Sequence, residues 1–230
     1  MEYSVIIPVY NEQESIRPLC CSLRKTMNEL GESYEIIFIN DGSTDRTFDI
    51  LKSLSSSKDN FIVINFIKNQ GQSAAFQEGF NSAKGKIVIT MDGDLQNDPK
   101  NIFKLLAKLE EGYDVVCGWR RNRRDHFFKK ILSKIANISR RIFLGEKIHD
   151  VSCSFRVYMR ESLKNINLSG QMYYMLTAIL SSSGHRLGEI EIRDYPRRFG
   201  KSKFNIITKL SSGLLIFEYL VNKSKYIRIK

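Results

Sequence analysis

Short runs of β-branched and aliphatic residues alternate along this chain with segments whose apolar positions recur every three to four residues. The runs at 5–9, 34–39, 61–67, 87–91 and 115–118 are too short for helices and largely apolar, which predicts strands buried on both faces. Between the first two, Ile16, Leu19, Leu23, Met27 and Leu30 share one face of a helix over 14–30, with Gly31 as its stop. A second helix is expected to end near residue 54, capped by Ser43 or Thr44. Others are expected at about 73–83 and from Pro99 to Gly112. Doubly buried strands separated by helices imply an α/β chain with a parallel sheet and helical crossovers. Ligands bind such sheets at the carboxyl ends of the strands. Three polar clusters follow strands here and are expected at one edge: Tyr10-Asn11-Glu12, Asp41-Gly42 and Asp92-Gly-Asp94.

The pattern changes after Gly118. A basic loop, Trp119-Arg-Arg-Asn-Arg-Arg-Asp125, leads into a helix over 127–144 that carries Lys129, Lys130, Lys134, Arg140 and Arg141. Asp150-Val-Ser-Cys-Ser-Phe-Arg156 is a loop entering a short strand at 155–159, followed by a helix at 173–183 and a strand at 187–192. The basic loop Arg197-Arg-Phe-Gly-Lys-Ser-Lys203 precedes an apolar helix at 204–221 and a basic tail at 223–230.

Composition narrows the classes. With 230 residues, 42% of them hydrophobic, the chain can bury one sizeable core. A formal net charge of +11 points to an anionic partner: nucleic acid, anionic lipid or a phosphorylated substrate. Cys20, Cys21, Cys117 and Cys153 form no CxxC pair, so they read as reduced core thiols rather than a zinc site. The opening residues show no basic stretch followed by an apolar one, so no signal peptide is expected. No run approaches the ~20 apolar residues of a spanning helix. The nearest, 214–221, is interrupted by Glu218, so any meeting with a membrane is expected from its surface.

Three motifs carry chemistry. Two carboxylates at a strand end, Asp92 and Asp94, can share a hard divalent cation that neutralises a diphosphate; alone, the pattern is more often a solvated turn, and its place after Ile87-Val-Ile-Thr-Met and before Leu95-Gln96 changes that balance. Asp41 can accept from a base edge or ribose hydroxyl, or belong to an ordinary Asp-Gly turn. Glu12 can face a ribose, or end a strand.

Taken together, Ile7-Pro-Val-Tyr-Asn-Glu12, Asp41-Gly-Ser-Thr-Asp45, Asn69-Gln-Gly71 and Asp92-Gly-Asp-Leu-Gln96 resemble the family 2 glycosyltransferases of GT-A fold. Gln72-Ser-Ala-Ala75, Gly118 before Arg120, Asp150 with Phe155-Arg156, and Arg198 with Ser202-Lys203 narrow the resemblance to the polyprenyl-phosphate branch, which includes dolichol-phosphate mannosyltransferases. Within it, the Gln-Ser-Ala-Ala stretch and Arg121-Asn-Arg resemble bacterial enzymes that load aminoarabinose derivatives or hexoses onto undecaprenyl phosphate.

The resemblance implies a Rossmann-like nucleotide-sugar-binding fold with a mainly parallel central sheet flanked by helices. It implies a catalytic domain over 1–203, with a donor half at 1–118 and an acceptor half at 119–203, and an apolar helix and basic tail at 204–230. By position, Pro8, Tyr10, Glu12 and Asp41 hold the nucleoside, and Asp92, Asp94 and Gln96 hold Mg²⁺ or Mn²⁺ on the donor diphosphate. Arg120, Arg156, Arg198, Ser202 and Lys203 contact phosphates, and Asp150 stands near the acceptor; Asp94, Asp150 and Arg120 form the catalytic set. The implied activity is inverting transfer of a sugar from a GDP- or UDP-sugar to dolichyl or undecaprenyl phosphate, on the cytoplasmic face of a membrane.

A phosphate acceptor is already ionised near neutral pH and needs little help from a base, unlike a sugar hydroxyl. The basic residues of 120–141 read either as a solvated helix face or as a surface resting on anionic headgroups. The rival reading is a family 2 enzyme acting on a sugar hydroxyl in wall or surface polysaccharide synthesis. A nucleotidyltransferase lacks its Gly-rich signature here. Nucleic acid is disfavoured because no aromatic platform alternates with the basic residues. A homo-oligomer or a membrane-protein partner is left open.

Overall fold

The computed structural model describes residues 1–55, 60–121, 148–168, 170 and 172–199. In chain order it contains β1 (Tyr3–Val9), α1 (Ile16–Leu30), β2 (Tyr34–Asn40), α2 (Thr47–Ser55), β3 (Phe61–Asn65), α3 (Gln72–Ser82) and β4 (Ile87–Thr90). There follow α4 (Asn101–Glu110), β5 (Val115–Trp119), β6 (Arg156–Met159), α5 (Leu176–Ser182) and β7 (Leu187–Glu191). The helix expected at 127–144 and everything from residue 200 onward lie outside the described residues.

The seven strands form one sheet in the order β3-β2-β1-β4-β6-β5-β7. β1, β2, β3 and β4 pair in parallel, as do β5 and β7, whereas β6 runs antiparallel between β4 and β5. The strand entered from Asp150 thus joins β1–β4 to β5 and β7 in a single sheet. Alternation along each strand divides the core between the two faces. Ile6, Ile37, Ile39 and Val88 pack with Ala75, Phe76 and Phe80 of α3 on one side. Val5, Ile7, Phe38 and Ile89 pack with Ile16, Leu19 and Leu23 of α1 and Ile102 and Leu105 of α4 on the other. Each side chain on a doubly covered strand is removed from water, so both faces are hydrophobic.

Local expectations were met with informative exceptions. α1 ends where expected, with Gly31 at φ 73, a left-handed cap that glycine adopts without a Cβ clash. α2 is capped by Asp45, whose Oδ1 accepts from Thr47 N at 2.9 Å. Ser43 and Thr44 turn instead to Asn11, so the expected cap is corrected. β3 stops at Asn65, short of the expected residue 67. There the chain turns outward, leaving Ile67 fully exposed, and Lys68 and Asn69 pass over Gly42. A Cβ on Gly42 would sit 2.4 Å from the Lys68 carbonyl carbon, and its φ is +67, so both space and backbone demand glycine. The first turn of the helix expected at 173–183 is 3-10, over Met172–Met175.

The chain leaves β1 for β2 on one side, and β4 lies on the other. The crevice between the carboxyl ends of β1 and β4 is therefore the topological switch point, where open α/β sheets bind ligands.

Candidate active site

The loops after β1 and β2 are knitted together. Asn11, at φ 52, donates its N–H to Ser43 Oγ at 2.9 Å and accepts from Thr44 N–H at 2.7 Å. Glu12 N–H donates to Thr47 Oγ1 at 2.8 Å. Asparagine tolerates the left-handed conformation better than most residues, and here it turns β1 toward the crevice. Pro8 and Tyr10, expected against the nucleoside, are half-buried on this strand and its end.

Asp41 is 5% exposed, and its two carboxylate oxygens accept from Gln70 N–H at 2.7 Å and Gly71 N–H at 3.0 Å. Burial raises its pKa above the ordinary carboxylate value, against the lowering effect of those two bonds. It therefore fixes the entrance to α3, and each oxygen has the capacity to accept one further bond.

Beyond β4, Leu95 takes φ 62 and the loop turns so that both acids face the switch point. Asp92 Oδ1 accepts from Gln72 Nε2 at 3.1 Å, and Gln72 Oε1 accepts from Tyr174 O–H at 3.2 Å. Asp94 Oδ1 accepts from Gln96 N–H at 3.1 Å, and its Oδ2 takes Arg197 Nη2 at 2.7 Å. Burial, then the charge of Asp92, push the Asp94 carboxyl up to about 6, with Arg197 acting in the opposite direction. Between the two acids, packing limits Gly93: a Cβ there would lie 2.7 Å from Val9 Cγ1.

Among the described residues no group of three or more His, Cys, Asp and Glu side chains is gathered to hold a metal ion. The paired aspartates still fit Mg²⁺ or Mn²⁺, because such ions are commonly held by one or two carboxylates, with substrate phosphates and water completing the shell. Gln96 Nε2 donates to Tyr195 O at 3.2 Å, so its side chain also ties this loop to the segment before Arg197.

Further along the same edge, after β5, Arg120 donates to Asp150 through Nε at 2.8 Å and Nη2 at 3.2 Å. Ser152 O–H donates to Asp150 Oδ1 at 2.8 Å, while its oxygen accepts from Arg120 at 3.1 Å. Both charged side chains are about nine-tenths buried.

Arg156 was expected to reach a phosphate, and the structure corrects that. It is fully buried, with Nε donating to Cys153 O at 2.7 Å and Nη2 to Val151 O at 2.6 Å, and its guanidinium packs on the Tyr173 ring. A side chain at the root of β6, between β4 and β5, is shut off from the crevice; it shapes the loop that carries Asp150.

The second basic loop brings a different residue forward. Arg198, expected at the phosphates, is exposed, whereas Arg197 turns inward to Glu12 and Asp94. Ser202 and Lys203 lie outside the described residues. Two adjacent arginines look alike in sequence; their directions are set by the pairing of Tyr195 N–H with Gln96 O at 2.9 Å, which fixes the segment leading to them. Gln72 stood in the Gln-Ser-Ala-Ala stretch, but nothing local pointed to Asp92 as its partner.

Comparisons with known proteins agree with this arrangement. The model of Glycosyl transferase family 2 matches residues 4–166. The undecaprenyl-phosphate 4-deoxy-4-formamido-L-arabinose transferase of Proteus mirabilis is 37% identical over 205 residues, covering 89% of this chain and 63% of the relative. The dodecaprenyl-phosphate galacturonate synthase of Rhizobium johnstonii is 35% identical over 211 residues, covering 90% and 62%. The chain thus spans somewhat under two thirds of these relatives' length. Among solved structures, glucosyl-3-phosphoglycerate synthase from Mycobacterium tuberculosis in complex with UDP superposes with a TM-score of 0.70 at 17% identity, over 94% of this chain and 79% of that one. The same synthase with Mn²⁺, UDP and phosphoglyceric acid gives a TM-score of 0.69 at 18% identity, over 100% of this chain and 79% of that one. At that identity the likeness speaks for the fold. With acids at the switch point, a mostly parallel sheet and a family match over most of its length, the chain belongs to glycosyl transferase family 2.

Proposed function

We propose that this chain is the catalytic part of an inverting glycosyltransferase that moves a sugar from a GDP- or UDP-sugar to a polyprenyl phosphate at the cytoplasmic face of a membrane. The observation that carries the acceptor assignment is the state of Asp150. Its carboxylate is engaged by the Arg120 guanidinium and the Ser152 hydroxyl rather than poised to take a proton. A fixed cation suits an acceptor that arrives as an anion, whereas a sugar hydroxyl calls for a base. The names of the relatives, with undecaprenyl and dodecaprenyl phosphate in them, support the same reading.

In this reading Glu12 and Asp41 orient the nucleoside from the two knitted loops, and Asp92 and Asp94 hold Mg²⁺ or Mn²⁺. When bound, the metal neutralises the departing diphosphate. Arg120, braced by Asp150, offsets the repulsion between two anionic substrates and aligns the acceptor phosphate for attack on the anomeric carbon. Among the described residues no helix is long and apolar enough to cross a membrane. The basic residues from Arg121 to Arg141 supply the proposed contact with anionic lipid.

Incubating the protein with Mn²⁺, a panel of nucleotide-sugars and undecaprenyl phosphate should give one lipid-extractable glycosylated product, lost on adding EDTA. Absence of lipid-linked product with every donor, or full activity in EDTA, would contradict the proposal.

A further inference from the structure

Arg197 links two loops that are far apart in sequence. Its Nη1 donates to Glu12 Oε1 at 3.1 Å and its Nη2 to Asp94 Oδ2 at 2.7 Å. Both carboxylate side chains are 10% exposed and Arg197 is 22% exposed, so the contact lies inside the crevice wall. The preceding backbone is anchored: Tyr195 N–H donates to Gln96 O at 2.9 Å, Gln96 Nε2 donates to Tyr195 O at 3.2 Å, and Asn97 bridges to Asp194. Glu12 is braced as well, with Oε2 accepting from Ser15 O–H at 2.9 Å. The guanidinium is thus delivered to one place by structure on both sides of it.

That place is the one a divalent cation on Asp94 must share. A cation coordinated by Asp94 would compete for the same carboxylate and stand beside a guanidinium in a poorly solvated wall, where like charges repel strongly. A compact divalent ion can also recruit Asp92, which accepts from Gln72 through Oδ1.

We propose that Arg197 is a placeholder cation: it holds the Asp94 and Glu12 carboxylates in position while no divalent ion is bound, and it yields Asp94 to the ion when the ion binds. The proposal rests on the reading of Asp92 and Asp94 as the metal carboxylates. The backbone pairing at Asp194 and Tyr195 means that the exchange needs movement of the Arg197 side chain rather than of the segment before it. In a competition of this kind, whatever favours the ion releases the arginine, and removing the arginine favours the ion.

The test is titration of Mn²⁺ alone into the full chain, with free Mn²⁺ read by electron paramagnetic resonance and folding checked by each variant's melting curve. Arg197→Ala should bind Mn²⁺ at least about tenfold more tightly than the unmodified protein, and Arg197→Lys should fall between them. Arg198→Ala, which removes the same charge one residue away, should stay within about twofold. Equal or weaker binding by Arg197→Ala would overturn the proposal, as would an equal gain in Arg198→Ala, which would reduce the effect to net charge. Asp94→Asn separates the two levels. If it binds Mn²⁺ as the unmodified protein does, the metal reading fails and the placeholder with it. If it loses binding while Arg197→Ala shows no gain, the placeholder alone fails.

Discussion

Replacing Asp94 with asparagine should stabilise the metal-free protein while removing its activity. The Asp94 carboxyl is raised from 3.8 to about 6, first by burial and then by the charge of Asp92. Below about pH 4 it is protonated in both folded and unfolded chains, and the stability due to the neutral form is fully present. As pH rises from about 4 to about 6, the unfolded chain has released a proton that the folded protein still holds, so stability falls. Above about pH 6 the loss is complete. At 1.36 kcal/mol per pKa unit it amounts to roughly 3 kcal/mol. The side chain is 10% exposed, so solvent screening takes away little of this. Asparagine has the size of the neutral acid and keeps an oxygen for Gln96 N–H. For a chain of this length, roughly 3 kcal/mol corresponds to a rise in Tm on the order of 5–10 °C. The assay is thermal unfolding in EDTA at pH 8 and pH 4.5. The gain should be large at pH 8 and small at pH 4.5, and saturating Mn²⁺ with UDP should shift the advantage back to the unmodified protein, because ligand stabilises only the form that binds it. A destabilised Asp94→Asn at pH 8, or an equal gain at both pH values, would refute this reasoning.

Two further substitutions address the neighbouring parts of the site. Arg120→Ala should lower kcat/KM for the lipid phosphate more than tenfold, about 1.4 kcal/mol or more in transition-state stabilisation, while leaving nucleotide-sugar binding within twofold by calorimetry; equal loss on both substrates would place Arg120 elsewhere. Gly42→Ala should cost on the order of 3 kcal/mol of stability, measured by denaturant unfolding, because its φ is +67 and the new Cβ would lie 2.4 Å from Lys68 backbone; an unchanged midpoint would contradict the close crossing of the two loops.

Much of the first 118 residues was legible because the signals there are local. Short apolar strands, helix periodicity and Gly31 as a stop report on the residues that carry them, so β1, α1, β2 and β4 fall close to where the pattern puts them. The polar clusters after β1, β2 and β4 were expected together because a parallel sheet brings its carboxyl ends to one edge. Direction was harder to read. Arg197 and Arg198 are adjacent and chemically alike, and only the pairing of 194–195 with 96–97, about a hundred residues away in sequence, decides which one enters the crevice. Arg156 stood in a motif among phosphate-binding candidates, yet β6 inserts antiparallel between β4 and β5 and takes its side chain into the interior. The α2 cap moved to Asp45 because Ser43 and Thr44 were claimed by Asn11, a contact across 32 or 33 residues. Each of these departures is a tertiary contact that outweighs an equally good local alternative.

The most direct measurement is a comparison of acceptors under one set of conditions. With the productive nucleotide-sugar and Mn²⁺, kcat/KM should be determined for undecaprenyl phosphate, for undecaprenol and for a free sugar, with products identified by mass spectrometry. The lipid phosphate should be glycosylated, and the alcohol lacking that phosphate should be at least about a hundredfold poorer, roughly 2.7 kcal/mol in transition-state binding. Comparable rates on the alcohol, or product on the free sugar and none on the lipid phosphate, would contradict the assignment of Arg120 and Asp150 to an anionic acceptor.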